Sequence, residues 1–327
     1  MTEPAIRRLA DPAALPADLS GGVVAIGNFD GVHRGHQSVL ATAHAIAASL
    51  SRPLLCLTFE PHPRTVFAPH RPVPRLTPAP MKARILDALG FAAVVEHPFD
   101  RAFAALSAED FVRRVLVEEL KARHVVVGFD FQFGAERQGT PLFLAEAAVR
   151  HGFGVTVVEA FADEGGKAVS SSRIRAHLSA GEVAEAAAML GYRWTLEAVV
   201  TGGQQLGRTL GYPTANMVLS DDGMLGHGIY AVNFRRADGT LHGGVASYGR
   251  RPTFDNGAAI FETFLFDFTG DLYGETCEVS LFSFLRGEEK FAGVEALVQQ
   301  MDRDAEAARA VLAGAEPLSP LDRAVAF

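Results

Sequence analysis

GNFDGVHRGH, running from Gly27 to His36, sets glycines and histidines at the point where an apolar strand gives way to a helix. Ahead of it, Val23-Val24-Ala25-Ile26 reads as a short buried strand with glycine on both sides. Behind it, Val39, Ala43, Ile46 and Leu50 recur at helical spacing and give the next segment one apolar face. A glycine turn before a helix lets backbone N–H groups and the positive helix end approach a phosphate closely. Gly27, Phe29 and Gly31 form that turn, and His33 and His36 at the helix entry can both reach the phosphate. The pattern is neither GxGxxG nor GxxxxGKS/T, the two commonest phosphate-binding loops. Two solvated histidines in a tight turn are the alternative reading.

A chain of 327 residues is long enough for two domains with separate cores. Hydrophobic content of 48% with 21% charged residues is that of an ordinary globular protein. With 30 basic and 38 acidic residues the net charge is −8, which argues against a nucleic-acid partner. No apolar run approaches the roughly 20 residues a bilayer span needs, so no membrane partner is expected. The start, MTEPAIRRLADP, lacks the charged-then-apolar order of a signal peptide. Cys56 and Cys277 sit far apart inside expected strands and read as buried free thiols. A cytoplasmic protein is expected.

Up to about residue 180, apolar runs at Val23–Ile26, Leu54–Phe59, Ala93–Val95, Val125–Val127 and Val155–Val158 alternate with helical segments near 36–50, 80–90, 108–121 and 141–151. The alternation implies a doubly wound, Rossmann-like α/β sheet with its ligand at the carboxyl ends of the strands. From about 195, short segments of period two follow at 196–201, 229–236, 241–246, 260–268 and 276–284. They read as a small antiparallel barrel, followed by a helix over 293–313 with Val294, Leu297, Val298 and Met301 at core spacing. Alanine-rich 182–190 joins the halves, which places the domains at 1–184 and 185–327. The Pro69–Pro80 stretch reads as a surface loop.

Three more clusters lie at expected strand ends of the first half. The prolines of FEPHPR (Phe59–Arg64) fix a rigid turn that either walls a planar ligand or is only structural. In VVVGFDFQFG, Asp130 sits where a carboxylate accepts from ribose or adenine, and its phenylalanine neighbours read equally as core. VSSSRIRAHL brings Ser170, Ser171, Ser172, Arg173 and Arg175 to a helix start, as an N-cap or as a polyphosphate site, with Arg175 the favoured arginine.

In the second half LGRTLGYPTANM, with Gly207 and Gly211, is a glycine-bearing loop ending in Pro-Thr-Ala-Asn. Thr214 and Asn216 supply oxygen ligands suited to Mg²⁺ once phosphates complete the shell; a plain β-turn is the alternative. In IFETFLFDF, alternation puts Glu262 on one strand face with Phe264, Phe266 and Phe268. A carboxylate there is costly unless partnered, and when partly desolvated it is a better base; an edge open to water is the alternative.

The His-x-Gly-His element resembles the signature of nucleotidyltransferases, which transfer AMP from ATP. Taken with FEPHP, RLTPxxxKARxL (Arg75–Leu86), VGFDFQFG, SSSRIR, GRTLGYPTAN, GVASYGRRPTF (Gly244–Phe254) and GDLYG…LRGEEKF (Gly270–Phe291), it resembles the bacterial bifunctional riboflavin kinase/FMN adenylyltransferase family nearly end to end. The resemblance implies a nucleotidyltransferase domain followed by a riboflavin-kinase barrel, with riboflavin, FMN and ATP as substrates. It implies that Glu262 takes the proton of the ribityl 5′-hydroxyl, while Thr214 and Asn216 hold Mg²⁺ (Mn²⁺ being the alternative) and the ATP phosphates. For the second step it implies that His33 and His36 stabilise charge on ATP, that Ser171, Ser172 and Arg175 hold the β- and γ-phosphates, and that Asp130 places the adenosine. Gly27, Phe29, Gly31, Gly207 and Gly211 would approach nucleotide, and Pro61, His62 and Pro63 would contact flavin. The chain departs from the pattern at Ser172 (commonly Thr), at Gly202-Gly203 and Leu206 (commonly His-Gly and a basic residue), and at Phe264 (often His).

Overall fold

The computed structural model describes residues 6–202, 212–219, 224–250 and 259–327. Its contacts divide the chain into two compact units at Ser170/Ser171, earlier than the compositional change near 185.

The first unit is a six-stranded parallel sheet. Its strands are β1 (Arg7–Leu9), β2 (Val23–Ile26), β3 (Leu54–Glu60), β4 (Ala93–Pro98), β5 (His124–Gly128) and β6 (Gly154–Val158), ordered β1-β4-β3-β2-β5-β6. The principal helices are α1 (Arg34–Leu50), α2 (Pro63–Phe67), α3 (Ala79–Ala88), α4 (Arg101–Ala104), α5 (Ala108–Phe111, continuing as a π-helix over Val112–Glu119) and α6 (Pro141–His151). β2 and most of β3 are buried on both faces, as expected of central strands in a parallel sheet covered by helices. The order turns at β2, with β3 and β4 on one side and β5 and β6 on the other. Ligands of such sheets lie at the carboxyl ends of the strands at that reversal. The loop that leaves β2 is the glycine–histidine motif.

Three expectations need correction in this unit. β1 was not anticipated, because Arg-Arg-Leu is a three-residue edge strand with no apolar alternation. The buried face of α1 is Val39, Leu40, Ala43 and Ala47; Leu50 is exposed at the helix end. The proline-rich stretch is not wholly a surface loop, since Leu76 and Thr77 are buried and Ala79 and Pro80 already belong to α3. Cys56 and Cys277 are buried free thiols.

The second unit opens with α7 (Ser171–Ser179) and α8 (Val183–Leu190). Strands β7 (Thr195–Thr201), β8 (Thr214–Val218), β9 (Gly228–Arg235), β10 (Leu241–Arg250), β11 (Ala259–Leu265) and β12 (Thr276–Arg286) then close an antiparallel barrel in the order β10-β11-β8-β7-β12-β9. Helices α9 (Val294–Ala313) and α10 (Pro320–Ala326) complete it. The segment read as a Pro-Thr-Ala-Asn turn is strand β8, which lacks the β-branched run that signals a strand. β11 stops at Leu265 and Asp267 has φ 55°, so the alternation through Phe268 does not continue as one strand face. On α9 the buried positions are Asp304 and Ala308 rather than the Val294 end, and Asp304 is paired with Arg286 at 2.7 Å.

α10 is anchored by charge. Asp322, fully buried, accepts from the Arg193 backbone N–H at 2.7 Å and pairs with the Arg193 guanidinium, which also lies 4.2 Å from the centre of the Phe282 ring. Removing one partner of a buried pair leaves an uncompensated charge. Asp322→Ala is expected to destabilise the second unit by about 3–5 kcal/mol. Urea denaturation followed by the fluorescence of Trp194, the sole tryptophan, measures this; an unchanged midpoint would contradict it.

Candidate active sites

In the first unit the motif loop is strained where it must turn. Phe29 and Val32 have φ of 45° and 36°, and Gly31 has φ 88°. A positive φ is unusual for an aromatic and more so for a β-branched residue, and persists only where the surroundings over-determine it. Here the Val32 N–H donates to the Phe29 carbonyl at 3.1 Å, and Gln37 Nε2 donates to the Val32 carbonyl at 2.8 Å. Gly27 lies beneath the Phe29 ring, which a side chain there would meet at 3.0 Å.

His33 caps α1: its Nδ1 accepts from the His36 backbone N–H at 3.3 Å. A neutral His33 therefore carries its proton on Nε2, free of the cap. The two imidazoles stack with centroids 3.6 Å apart, and Phe29 meets His36 edge-on at 5.3 Å. His36 Nδ1 is buried without a hydrogen-bond partner. Gly35 lies against the His33 ring, which a side chain there would meet at 3.2 Å. The result is a helix N-terminus with two imidazoles, suited to an anion.

A polar circuit backs the loop. Asp30, buried, accepts from the Thr77 N–H at 3.1 Å and lies 3.5 Å from Arg75, while Thr77 accepts from the Gly31 N–H at 2.8 Å. Arg75 grips Glu60 with two 2.8 Å hydrogen bonds. Lys82, 1% exposed, donates to Glu60 at 3.1 Å and to Thr58 at 3.0 Å. Burial lifts the Glu60 carboxyl, but Arg75 and Lys82 outweigh it and hold it below the ordinary carboxylate value.

The other residues singled out from sequence are placed as follows. Glu60–Pro61 is a cis peptide; His62 is buried and caps α2 by accepting from the Arg64 N–H at 3.2 Å; Pro63 opens that helix. Beside them stands an aromatic wall that sequence reasoning missed. Phe99 lies 5.8 Å from Phe59 and 6.0 Å from the exposed Phe67, and Phe103 lies 4.1 Å from His97. These residues come from three separate segments with no shared spacing. Asp130 is exposed just past β5, while Phe131 and Phe133 join the core. Ser171, Ser172 and Arg175 lie on the first turns of α7, in the second unit. Arg173 and Arg175 are both partly buried, so exposure does not separate them.

In the barrel, register builds the site. Glu262 of β11 pairs with Asn216 of β8 on one side and Ser247 of β10 on the other, and Asn216 pairs with Thr201 of β7. Residues opposed in antiparallel strands share a face, so Thr201, Asn216, Glu262 and Ser247 form one polar row across four strands. Thr214, two residues from Asn216 and opposite Phe264, lies on the same face. Thr201 and Ser247 were not found from sequence; only the pairing reveals them. Glu288 reaches the same place, packed so closely on Gly249 that any side chain there would collide with its carboxylate. Ser247, Arg250, Glu262 and Glu288 line a small recess of about 50 Å³. Gly207 and Gly211 lie outside the described residues.

Asn216 Oδ1 is buried and has no hydrogen-bond partner, which fits a ligand for a hard cation. Among the described residues no group of three His, Cys, Asp or Glu side chains could hold a metal. The Tyr212 ring lies 4.7 Å from that of Phe264, tilted by 58°, and its hydroxyl donates to Asp302 of α9. Further along, a groove of about 440 Å³ runs between α9 and the ends of β10 and β11, lined by His242, Phe266, Asp267, Arg309 and Leu312.

The model for FAD synthetase matches residues 15–173, and that for riboflavin kinase matches 190–312. Bifunctional riboflavin kinase/FMN adenylyltransferases are similar over 90% of this chain: 38% identity for Escherichia coli (strain K12), covering 93% of that protein, and 40% for Pseudomonas fluorescens, covering 94%. A crystal structure described as a macrolide-efflux protein from Streptococcus pneumoniae has a TM-score of 0.83 at 32% identity, covering 93% of this chain and 99% of the other. No described helix is long and apolar enough to cross a membrane.

Burial, followed by the charges of His33 and Lys82, holds His36 well below the usual histidine value of 6.5. The unfolded chain takes up a proton near 6.5 that folded His36 refuses until lower pH, so acidification below 6.5 favours unfolding. His97 and His124 are depressed by burial and add to the same slope. Urea midpoints of the first unit between pH 7 and about 5 are expected to fall with acid, and less steeply in His36→Gln. Equal slopes would contradict a buried neutral imidazole.

Proposed function

The chain belongs to the bifunctional riboflavin kinase/FMN adenylyltransferase family, and on that premise we propose how its residues divide the two steps. It phosphorylates riboflavin to FMN with ATP and adenylylates FMN to FAD. We propose a functional boundary near residue 185; family matches that end at 173 and resume at 190 support it.

The kinase step is assigned to the barrel, and the observation that carries the assignment is the polar row Thr201–Asn216–Glu262–Ser247. Glu262 accepts the proton of the ribityl 5′-hydroxyl as the hydroxyl oxygen attacks the γ-phosphorus of ATP; the bond from that phosphorus to the β-phosphate oxygen breaks, and ADP leaves. Thr214 and Asn216 would hold Mg²⁺, which when bound neutralises developing charge on the phosphates. Gly207 and Gly211 are assigned to the approach of the ATP phosphates. The flavin ring is assigned to the groove beside Phe266. Phe266 follows Glu262 by four residues, just past the end of β11, about 13 Å at 3.3 Å per extended residue, which suits a ribityl chain plus a tricyclic ring.

The adenylyl step is assigned to the first unit. An FMN phosphate oxygen attacks the α-phosphorus of ATP, the bond to the β-phosphate oxygen breaks, and pyrophosphate leaves. A phosphate monoester is already ionised at neutral pH, so no strong base is needed. His33 Nε2–H and His36, at the positive end of α1, stabilise charge on the phosphates. Gly27, Phe29 and Gly31 shape that approach. Asp130, exposed past β5, is assigned to the adenosine, and Ser171, Ser172 and Arg175 to the β- and γ-phosphates. Pro61, His62 and Pro63, with Phe67 and Phe99 beside them, are assigned to the flavin. The buried free thiols fit a reducing, cytoplasmic setting.

Glu262→Ala is expected to lower FMN formation from riboflavin by about 10²–10⁴-fold while sparing FAD formation from supplied FMN. His36→Ala is expected to do the converse. Separate assays of the two steps check this; equal loss of both in either variant would refute independent sites.

A further inference from the structure

Lys82 occupies a core position that an apolar side chain would fill at lower cost. It lies on α3 at 1% exposure, among buried Met81, Ile85 and Leu86. Desolvating an ammonium costs several kcal/mol, and buried ion pairs are often no more stabilising than apolar replacements. Stability alone therefore does not account for it.

Its bonds lead to the motif loop by two routes. Lys82 Nζ donates to Thr58 Oγ1 at 3.0 Å, and the Thr58 hydroxyl donates onward to the Asn28 carbonyl at 3.2 Å. By the second route Lys82 meets Glu60, Glu60 meets Arg75, Arg75 lies against Asp30, and Thr77 joins Asp30 to the Gly31 N–H. The two routes end on Asn28 and Gly31, either side of Phe29, whose φ of 45° needs holding and whose ring abuts His36 at 5.3 Å. His33 and its cap follow directly.

We propose that Lys82 and Thr58 are positioning residues for adenylyl transfer: they hold the Asn28–Gly31 turn, through it the stacked imidazoles, in the geometry that meets the reacting phosphates. The inference rests on the assignment of His33 and His36 to those phosphates. Neither Lys82 nor Thr58 need touch substrate.

Thr58→Val removes the hydroxyl link while keeping a β-branched side chain on β3; Thr58→Ser keeps the link. Thr58→Val is expected to lower kcat for FAD formation from FMN by about 10–100-fold with KM for ATP shifted less than about threefold, since misplacement is felt mainly in the transition state. Thr58→Ser is expected to stay within about threefold of the unaltered chain, and Lys82→Met to follow Thr58→Val. Riboflavin phosphorylation by the same molecules should be unchanged and reports the second unit, while an unchanged urea midpoint of the first unit reports that it is folded. A Thr58→Val chain with a lowered melting temperature but full kcat would overturn the proposal and leave a structural role. Full FAD output from His36→Ala would instead overturn the assignment on which it rests. If Lys82→Met fails to fold, the Thr58 pair still decides.

Discussion

β2 is buried on both faces, and the polar loop that leaves it starts from the apolar centre of the sheet and must turn the chain into α1. That constraint shapes the rest of the first unit. The loop must turn sharply into α1, which forces positive φ at Phe29 and Val32 as well as at Gly31. His33 has to cap the helix it opens, which fixes its ring and brings it onto His36. Strained turns relax unless held, and here holding falls to a buried polar circuit anchored on β3 and α3. Strain, cap and circuit together fix backbone N–H groups and two imidazoles at the end of an apolar sheet.

The barrel meets a comparable demand through register. Side chains alternate at every residue of a strand, so a slip of one residue would turn Glu262 into the barrel and away from Asn216 and Ser247. The apolar inner positions, Ala215, Met217, Tyr248 and Phe261, resist that slip because each is buried. Core packing thereby sets the polar row. The same register places Asn216 in that row, where its Oδ1 is buried without a hydrogen-bond partner.

Much of this was legible in the sequence. The continuous apolar runs gave five parallel strands, and short alternating segments after residue 195 gave most of the barrel. What escaped had little local signature. β1 is too short and polar, and β8 begins beside a proline with no β-branched run. Asp304 interrupts the apolar spacing of α9 yet is buried, because its partner Arg286 lies on another element. Lys82 stood in the sequence only as one letter of the RLTPxxxKARxL motif, with no role: a lysine on an amphipathic helix reads as solvated, and only Glu60 and Thr58, brought by β3, make its burial tolerable. The motif residues were legible as chemistry; Thr201, Ser247 and Glu288 join them only through strand pairing and chain folding.

The central claim is that one chain carries both steps of FAD synthesis from riboflavin. It is tested most directly by separating flavins chromatographically after incubation with riboflavin, ATP and Mg²⁺, beside a parallel reaction started from FMN. The account expects FMN and then FAD in the first reaction, and FAD in the second. FAD from FMN alone would contradict a working kinase barrel, and no conversion in either reaction by folded protein would contradict the account as a whole.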